Sequence, residues 1–164
     1  MKFQSMSLVA GTKICNARCP FCVSRMTGMD MIEKKAEDVN MRNLKKAIQL
    51  ADKGGVTNVI ITGKGEPTLY PEHLHEYLNA LDNKFPFIEL QTNGWVLAQD
   101  SYKGCKTETT LEWWAEQGMT TVMISNCGYD SELNRQIYFP RQKEYIDLKK
   151  VVDRVHEAGM MVRL

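Results

Sequence analysis

The sequence has no apolar run near the ~20 residues that a membrane-spanning helix needs. Its N-terminus, Met1-Lys2-Phe3-Gln4-Ser5, lacks the apolar core of a secretory signal. Charge of one sign is not in excess: 21 Lys and Arg stand against 20 Asp and Glu, a formal net charge of +1. That balance leaves no electrostatic footprint for general nucleic-acid binding. There is no Gly/Ser linker and no low-complexity segment, so residues 1–164 read as one domain. A hydrophobic content of 43% gives that domain a sizeable core. Histidine is scarce, and the five cysteines are an odd number. Three of them crowd between positions 15 and 22, which is not the spread of a disulfide framework. That crowding points to metal chemistry in a reducing, cytoplasmic compartment.

What is present is alternation. Ser7–Ala10 reads as a first short strand. Asn40 caps a helix whose apolar face is Leu44, Ala47, Ile48 and Ala51. Val56–Thr62 is a buried strand rich in β-branched residues, and Pro71 opens a second helix on Leu74, Tyr77, Leu78 and Leu81. Phe87–Gln91 and Thr120–Ser125 are further strands, with a helix on Leu111, Trp114 and Ala115 between them. Asp147 opens a helix on Leu148, Val151, Val152 and Val155, and Met160–Leu164 begins a fifth strand. One joint recurs: a helix stopped by glycine at Gly54-Gly55, Gly118 and Gly159, then a buried strand. This pattern predicts βαβ units and a parallel sheet in an α/β fold. A barrel-like wheel and a doubly wound open sheet both satisfy it. No G-x-G-x-x-G follows the first strand, which weakens a dinucleotide-binding reading.

In either layout chemistry collects on loops leaving the C-terminal strand ends. The unusual residues fall there: the cysteines after the first strand, Gly63-Lys64-Gly65-Glu66-Pro67 after the second, Thr92-Asn93-Gly94 after the third, Ser125-Asn126 after the fourth. Cys15-x3-Cys19-x2-Cys22 is the strongest signal. Thiolates are soft ligands that select zinc or iron–sulfur clusters. Pro20 disfavours a helical Cys19, so the segment is a wrapping loop that aims three sulfurs inward. A structural zinc site wants a fourth protein ligand, and the next cysteine is Cys105. A zinc site completed by a distant residue or a partner is the alternative. Three thiolates on a four-iron cube instead leave one iron open for a small chelating molecule.

The run Cys15-Asn16-Ala17-Arg18-Cys19-Pro20-Phe21-Cys22 resembles the signature of the radical S-adenosylmethionine (SAM) superfamily. Gly63–Pro67 looks like that family's Gly-Gly-Glu region, with Lys64 in place of a second glycine, and Gln91–Gly94 looks like its segment after the third strand. Ser125 and Arg135 resemble a serine and an arginine that hold SAM's carboxylate in several members. The resemblance implies a partial (β/α) TIM-like barrel. It implies a 4Fe–4S cluster on Cys15, Cys19 and Cys22, whose open iron takes SAM. Reductive cleavage of SAM then gives a 5′-deoxyadenosyl radical that abstracts hydrogen from a substrate. It further implies SAM contacts at Gly63 and Gly65, through close backbone approach, and at Gln91 and Asn93, through ribose hydroxyls. Arg135 pairs with the carboxylate and Phe21 packs near the adenine. Glu66 either adds an acceptor near the ammonium or fixes the turn. The implied partners are an electron donor such as flavodoxin or ferredoxin and a substrate that is a small molecule, peptide or protein. A non-catalytic iron–sulfur or zinc module is the rival reading.

Other features read plainly. Cys105 and Cys127 are free thiols, and Trp113 and Trp114 are packing residues. His73 and His75 face different ways on one helix. Lys34-Lys35 and Lys45-Lys46 are solvated. At about 30 residues per strand–helix unit, the chain is expected to stop one unit short of the family's barrel. That leaves an exposed edge at the fifth strand.

Overall fold

The computed structural model describes residues 3–26 and 38–164, so Lys34 and Lys35 lie outside the described residues. Five strands form one sheet: β1 (Ser5–Ala10), β2 (Asn58–Gly63), β3 (Phe87–Thr92), β6 (Thr121–Ile124) and β7 (Met161–Arg163). The helices are α1 (Val23–Met26), α2 (Met41–Lys53), α3 (Pro71–Leu81), α4 (Trp95–Ala98), α5 (Thr107–Glu116), α6 (Ser131–Tyr138) and α7 (Leu148–Glu157). A 3-10 turn, Pro67–Leu69, precedes α3, and a hairpin of β4 (Ser101–Tyr102) and β5 (Cys105–Lys106) precedes α5.

Local chemistry sets these boundaries. The Asn43 N–H donates to the Asn40 carbonyl oxygen Oδ1 at 3.0 Å, and the Lys150 N–H donates to Asp147 at 3.0 Å, so α2 and α7 begin on side-chain caps. Gly55, Gly118 and Gly159 carry φ of 72°, 89° and 82°, the left-handed turn that ends a helix before a strand.

Every pairing in the five-stranded sheet is parallel, and the order is β1-β2-β3-β6-β7. Side chains alternate across each strand. Leu8, Val59, Ile61, Ile88, Leu90, Val122 and Ile124 point to one face and join the core with Leu44, Ile48, Leu74, Leu78, Leu111 and Val151 of the helices. The other face is less covered: Val9 is 47% exposed, and of its residues on β3 only Glu89 is buried. A doubly wound sheet reverses its strand order and buries both faces. This sheet follows chain order and covers one face, which decides for the barrel type of winding.

Four short elements have no signal in the sequence pattern. α1, α4 and the hairpin are too short to show a period. The hairpin turns on Lys103 and Gly104, with φ of 49° and 85°, as a two-residue turn of the primed kind requires. The helix α6 is amphipathic but starts at Asp130, whose carboxylate accepts from the Glu132 and Leu133 N–H groups. Lys45 and Lys46 are exposed as expected. Among the described residues no helix is long and apolar enough to cross a membrane.

Candidate functional site

Because all five strands run the same way, the loops after β1, β2, β3 and β6 leave from one rim. The cysteine loop leaves β1 at Gly11, whose φ is 69°. A Cβ there would sit 2.1 Å from the Tyr70 ring, so only glycine lets the ring close over the backbone. The Gly11 N–H donates to His73 Nδ1 at 3.1 Å. Thr12 Oγ1 lies 2.6 Å from the Tyr70 hydroxyl and accepts from the Ile14 N–H at 3.1 Å. Tyr70 and α3 thus brace the loop just before its first cysteine. Cys15 is exposed, and Cys19 and Cys22 are half-buried. The Cys22 N–H donates to the Cys19 carbonyl at 3.3 Å, and the Cys22 carbonyl accepts from Arg25 and Met26 to start α1.

The turn after β2 grips this loop. A Cβ on Gly63 would lie 2.9 Å from the Gly65 carbonyl oxygen, so Gly63 serves the turn itself. A Cβ on Gly65 would lie 2.0 Å from the Ile14 carbonyl oxygen. The close approach that requires a glycine at 65 is therefore made to the backbone beside Cys15. The neighbouring Glu66 N–H donates to that same Ile14 oxygen at 3.1 Å. The side chain of Glu66 is 3% exposed and turned inward. Oε1 accepts from the Thr68 N–H at 3.0 Å, the Thr68 hydroxyl at 2.6 Å and the Thr92 hydroxyl at 2.6 Å. Oε2 accepts from the Asn93 N–H at 2.8 Å. Of the two readings of Glu66, this geometry matches the one in which it fixes the turn. Burial pushes its carboxyl up, and the donors from Thr68, Thr92 and Asn93 oppose that shift.

Asn93 is 6% exposed and its side chain is engaged within the chain. Its Oδ1 accepts from the Trp95 N–H at 3.0 Å. Its Nδ2 donates to Asn16 Oδ1 at 2.8 Å and to the Cys15 sulfur at 3.7 Å. Gln91 lies on the accessible face of the sheet and donates through Nε2 to Glu89 at 3.0 Å. Glu89 also takes a two-pronged pair from Arg163, at 3.1 and 2.6 Å. Ser125 is held by its backbone, its N–H donating to the Thr92 carbonyl at 2.8 Å. Arg135 grips Glu132 with two nitrogens at 2.8 and 2.7 Å and donates to the Gln142 carbonyl at 2.9 Å. This pair draws the Glu132 carboxyl down to about 2. Phe21 is 54% exposed, edge-on to Tyr138 with centroids 6.1 Å apart.

Sequence reasoning missed what surrounds Cys19. Ala17, Tyr138 and Phe139 form a small separate apolar cluster on which Cys19, Trp95 and Tyr145 pack. The Cys127 sulfur lies 3.1 Å from the Tyr138 hydroxyl. Burial raises the Cys19 thiol, and Cys22 and Cys127 add to that shift. Although the residue as a whole is exposed, desolvation at its sulfur pushes the Cys15 thiol up to about 11, with Glu66 and Cys19 adding to the shift. A bound metal reverses that preference by taking the thiolate. The two histidines do part company: His73 holds Gly11, while His75 stacks on Trp113 at 4.3 Å. A cavity of about 590 Å³ lies between α3, α5 and the hairpin, lined by His75, Trp113, Leu97, Tyr102 and Cys105, and none of Cys15, Cys19 and Cys22 lines it.

The residues present fit an iron–sulfur cluster. Among the described residues no three His, Cys, Asp or Glu side chains gather to hold a single metal ion. Three thiols spaced along one loop suit a cube that takes one thiolate at each of three corners. Beside Cys15 the Asn16 Nδ2 is buried with no partner, a donor still in need of an acceptor.

No curated protein matches the chain in sequence. The crystal structure of HydG, a maturase of the FeFe-hydrogenase, is among 20 solved chains that match. It superposes with a TM-score of 0.61 at 11% identity, covering 98% of this chain and 35% of that one. At that identity the likeness shows the fold alone, and this chain spans about a third of that protein. A model of the radical SAM superfamily, a family of enzymes, matches residues 9–163. With the barrel-type sheet and the cysteine loop on its rim, the chain belongs to the radical SAM superfamily.

Proposed function

We propose that the chain is the core of a radical SAM enzyme, with Cys15, Cys19 and Cys22 holding a 4Fe–4S cluster. The observation that carries this reading is the bracing of the Cys15-x3-Cys19-x2-Cys22 loop from β2 and α3 on the rim of the sheet. A cluster held there and reduced by an external electron donor would supply one electron to the sulfonium of SAM, breaking the S–C5′ bond to give methionine and a 5′-deoxyadenosyl radical able to abstract hydrogen from the substrate. The protein's own part is position and exclusion. Gly65 and Glu66 fix the backbone at Ile14, and so the place of Cys15. Phe21 offers an accessible ring for the adenine. Gln91 has its amide Nε2 committed to Glu89, so it presents its carbonyl oxygen, an acceptor for a ribose hydroxyl. Ser125 and Arg135 serve the carboxylate of SAM, Arg135 by exchanging the Glu132 carboxylate for that of the ligand. The accessible face carrying Glu89 and Arg163 is the side from which a polar substrate is met.

The test is anaerobic reconstitution of the chain with iron and sulfide, then reduction in the presence of SAM. Iron and sulfide near four per chain and release of 5′-deoxyadenosine are expected, as in other Cys-bound 4Fe–4S proteins, about one cube per domain. Replacing Cys15, Cys19 or Cys22 by Ala removes a ligand and empties the site, whereas Cys105→Ala and Cys127→Ala retain the cluster. Purification with one zinc per chain, or a cluster that never cleaves SAM, supports the non-catalytic module instead.

A further inference from the structure

We propose that Asn93 is a positioning residue for the cluster, donating an N–H to the Cys15 sulfur and raising the reduction potential, and is not a ribose contact. The inference rests on the cluster reading above. Its first support is the direction of the amide. The Trp95 N–H is only a donor, so the group facing it at 3.0 Å is Oδ1. The Nδ2 is thereby turned toward Asn16 Oδ1 at 2.8 Å and the Cys15 sulfur at 3.7 Å. The second is rigidity: the Asn93 N–H is bound to Glu66 Oε2 at 2.8 Å, and Glu66 is tied to Thr68 and Thr92. The amide inherits its place from the sheet and keeps it when a ligand arrives. The third is accessibility. At 6% exposure, with N–H, Oδ1 and Nδ2 all engaged, Asn93 has little left to offer a ribose.

A donor beside a ligating sulfur stabilises whichever state carries more negative charge, and the reduced cluster does. Such outer partners tune a metal site as surely as its ligands. The buried Glu66 carboxylate near Cys15 acts the other way, disfavouring added charge, and Asn93 stands between the two.

The experiment is an EPR-monitored redox titration of the reconstituted full chain, alongside equilibrium SAM binding. Asn93→Ser keeps a hydroxyl for the Trp95 N–H and removes the donor to Cys15. We expect iron and sulfide content to hold and the ratio of reduced to oxidised cluster at a fixed potential to fall about tenfold, a shift of about 59 mV to more negative values for one electron. Asn93→Asp, of the same shape, loses the donor and adds a charge, so it shifts further the same way; it serves if the serine variant does not fold. An unmoved midpoint and EPR spectrum overturn the inference. So does weaker SAM binding at an unmoved midpoint, which would make Asn93 a ribose contact. Folded variants that take up no iron overturn it too, since Asn93 would then only hold the loop. A wild-type chain that takes up no cluster removes instead the functional reading underneath.

Discussion

The two ends of the parallel strands are built from different materials. At the end where helices hand over to strands, three joints are glycine turns and the α3–β3 joint turns on Asp82 and Asn83, with φ of 50° and 54°. A Cβ at Gly55 or Gly159 would meet nothing within 4 Å, and one at Gly118 would meet the end of the Asn83 side chain, at 2.1 Å. At the opposite rim, glycines are pressed against other chain segments: Gly11 under Tyr70 and Gly65 against Ile14. Buried polar side chains tie one rim loop to the next, with Glu66, Thr92 and Asn93 among them. The first end is local and interchangeable; the second is long-range and specific. Stability at the first depends mainly on backbone conformation, while at the second it is inseparable from placing the cysteines.

Substitutions at the two ends separate these roles. The largest effect is expected at Gly65→Val, where the new side chain meets backbone atoms of Lys13 and Ile14. It should destabilise the fold by about 3 kcal/mol. It should also abolish cluster uptake along with SAM binding, because the displaced backbone is that of the cysteine loop. A Gly65→Val protein that loads iron normally but binds SAM weakly would return Gly65 to a ligand-contact role. Next comes Glu66→Gln. One amide nitrogen then faces donors it cannot accept from, at a cost of about 1–3 kcal/mol in denaturant unfolding, with reduced cluster retention. Equal unfolding midpoints would show the carboxylate to be dispensable to the turn.

Gly159→Ala tests the other end. It introduces only left-handed strain at φ 82°, with open space around the methyl, so about 1–2 kcal/mol is expected. Iron content and SAM binding should not change; loss of either would break the distinction between the ends. The smallest effect belongs to the exposed Glu132–Arg135 pair. The Glu132 carboxyl is depressed in the folded chain, to about 2 from an ordinary 4.5. Its contribution is therefore present above pH 4.5 and lost as pH falls through 2. The stability gap between wild type and Glu132→Gln should close over that range, and a gap independent of pH would exclude the ion pair as its source.

The same division explains what was legible in the sequence. The five strands and four long helices announce themselves through period and caps, because both arise within a few residues of each other: Asn40 and Asn43, Asp147 and Lys150. The winding follows once all pairings are parallel and one face is apolar. The cysteine triplet is legible because its spacing is local. The rim's cross-links are not. His73 on Gly11, Tyr70 on Thr12 and Asn93 on Asn16 join residues far apart in the chain, with no motif to mark the partner. Gly65 illustrates the limit well. Its need for a bare backbone is evident from its setting, but the surface it approaches is another loop, which only the folded chain displays. The Tyr138–Cys127 contact escapes for the same reason, since α6 brings the tyrosine back over the loop after β6.

The Glu66 carboxylate has a further consequence for how the rim moves. Its four acceptor contacts join the turn after β2 to the end of β3, and the same turn holds the cysteine loop through Ile14. Breaking one of these contacts leaves a buried anion short of a donor, which favours breaking the rest. The rim should therefore breathe as one cooperative unit. In native-state hydrogen exchange the amides of Thr68, Asn93 and Glu66 would share a single opening free energy, and the cysteine loop would lose its backbone hold at Ile14 in that same opening.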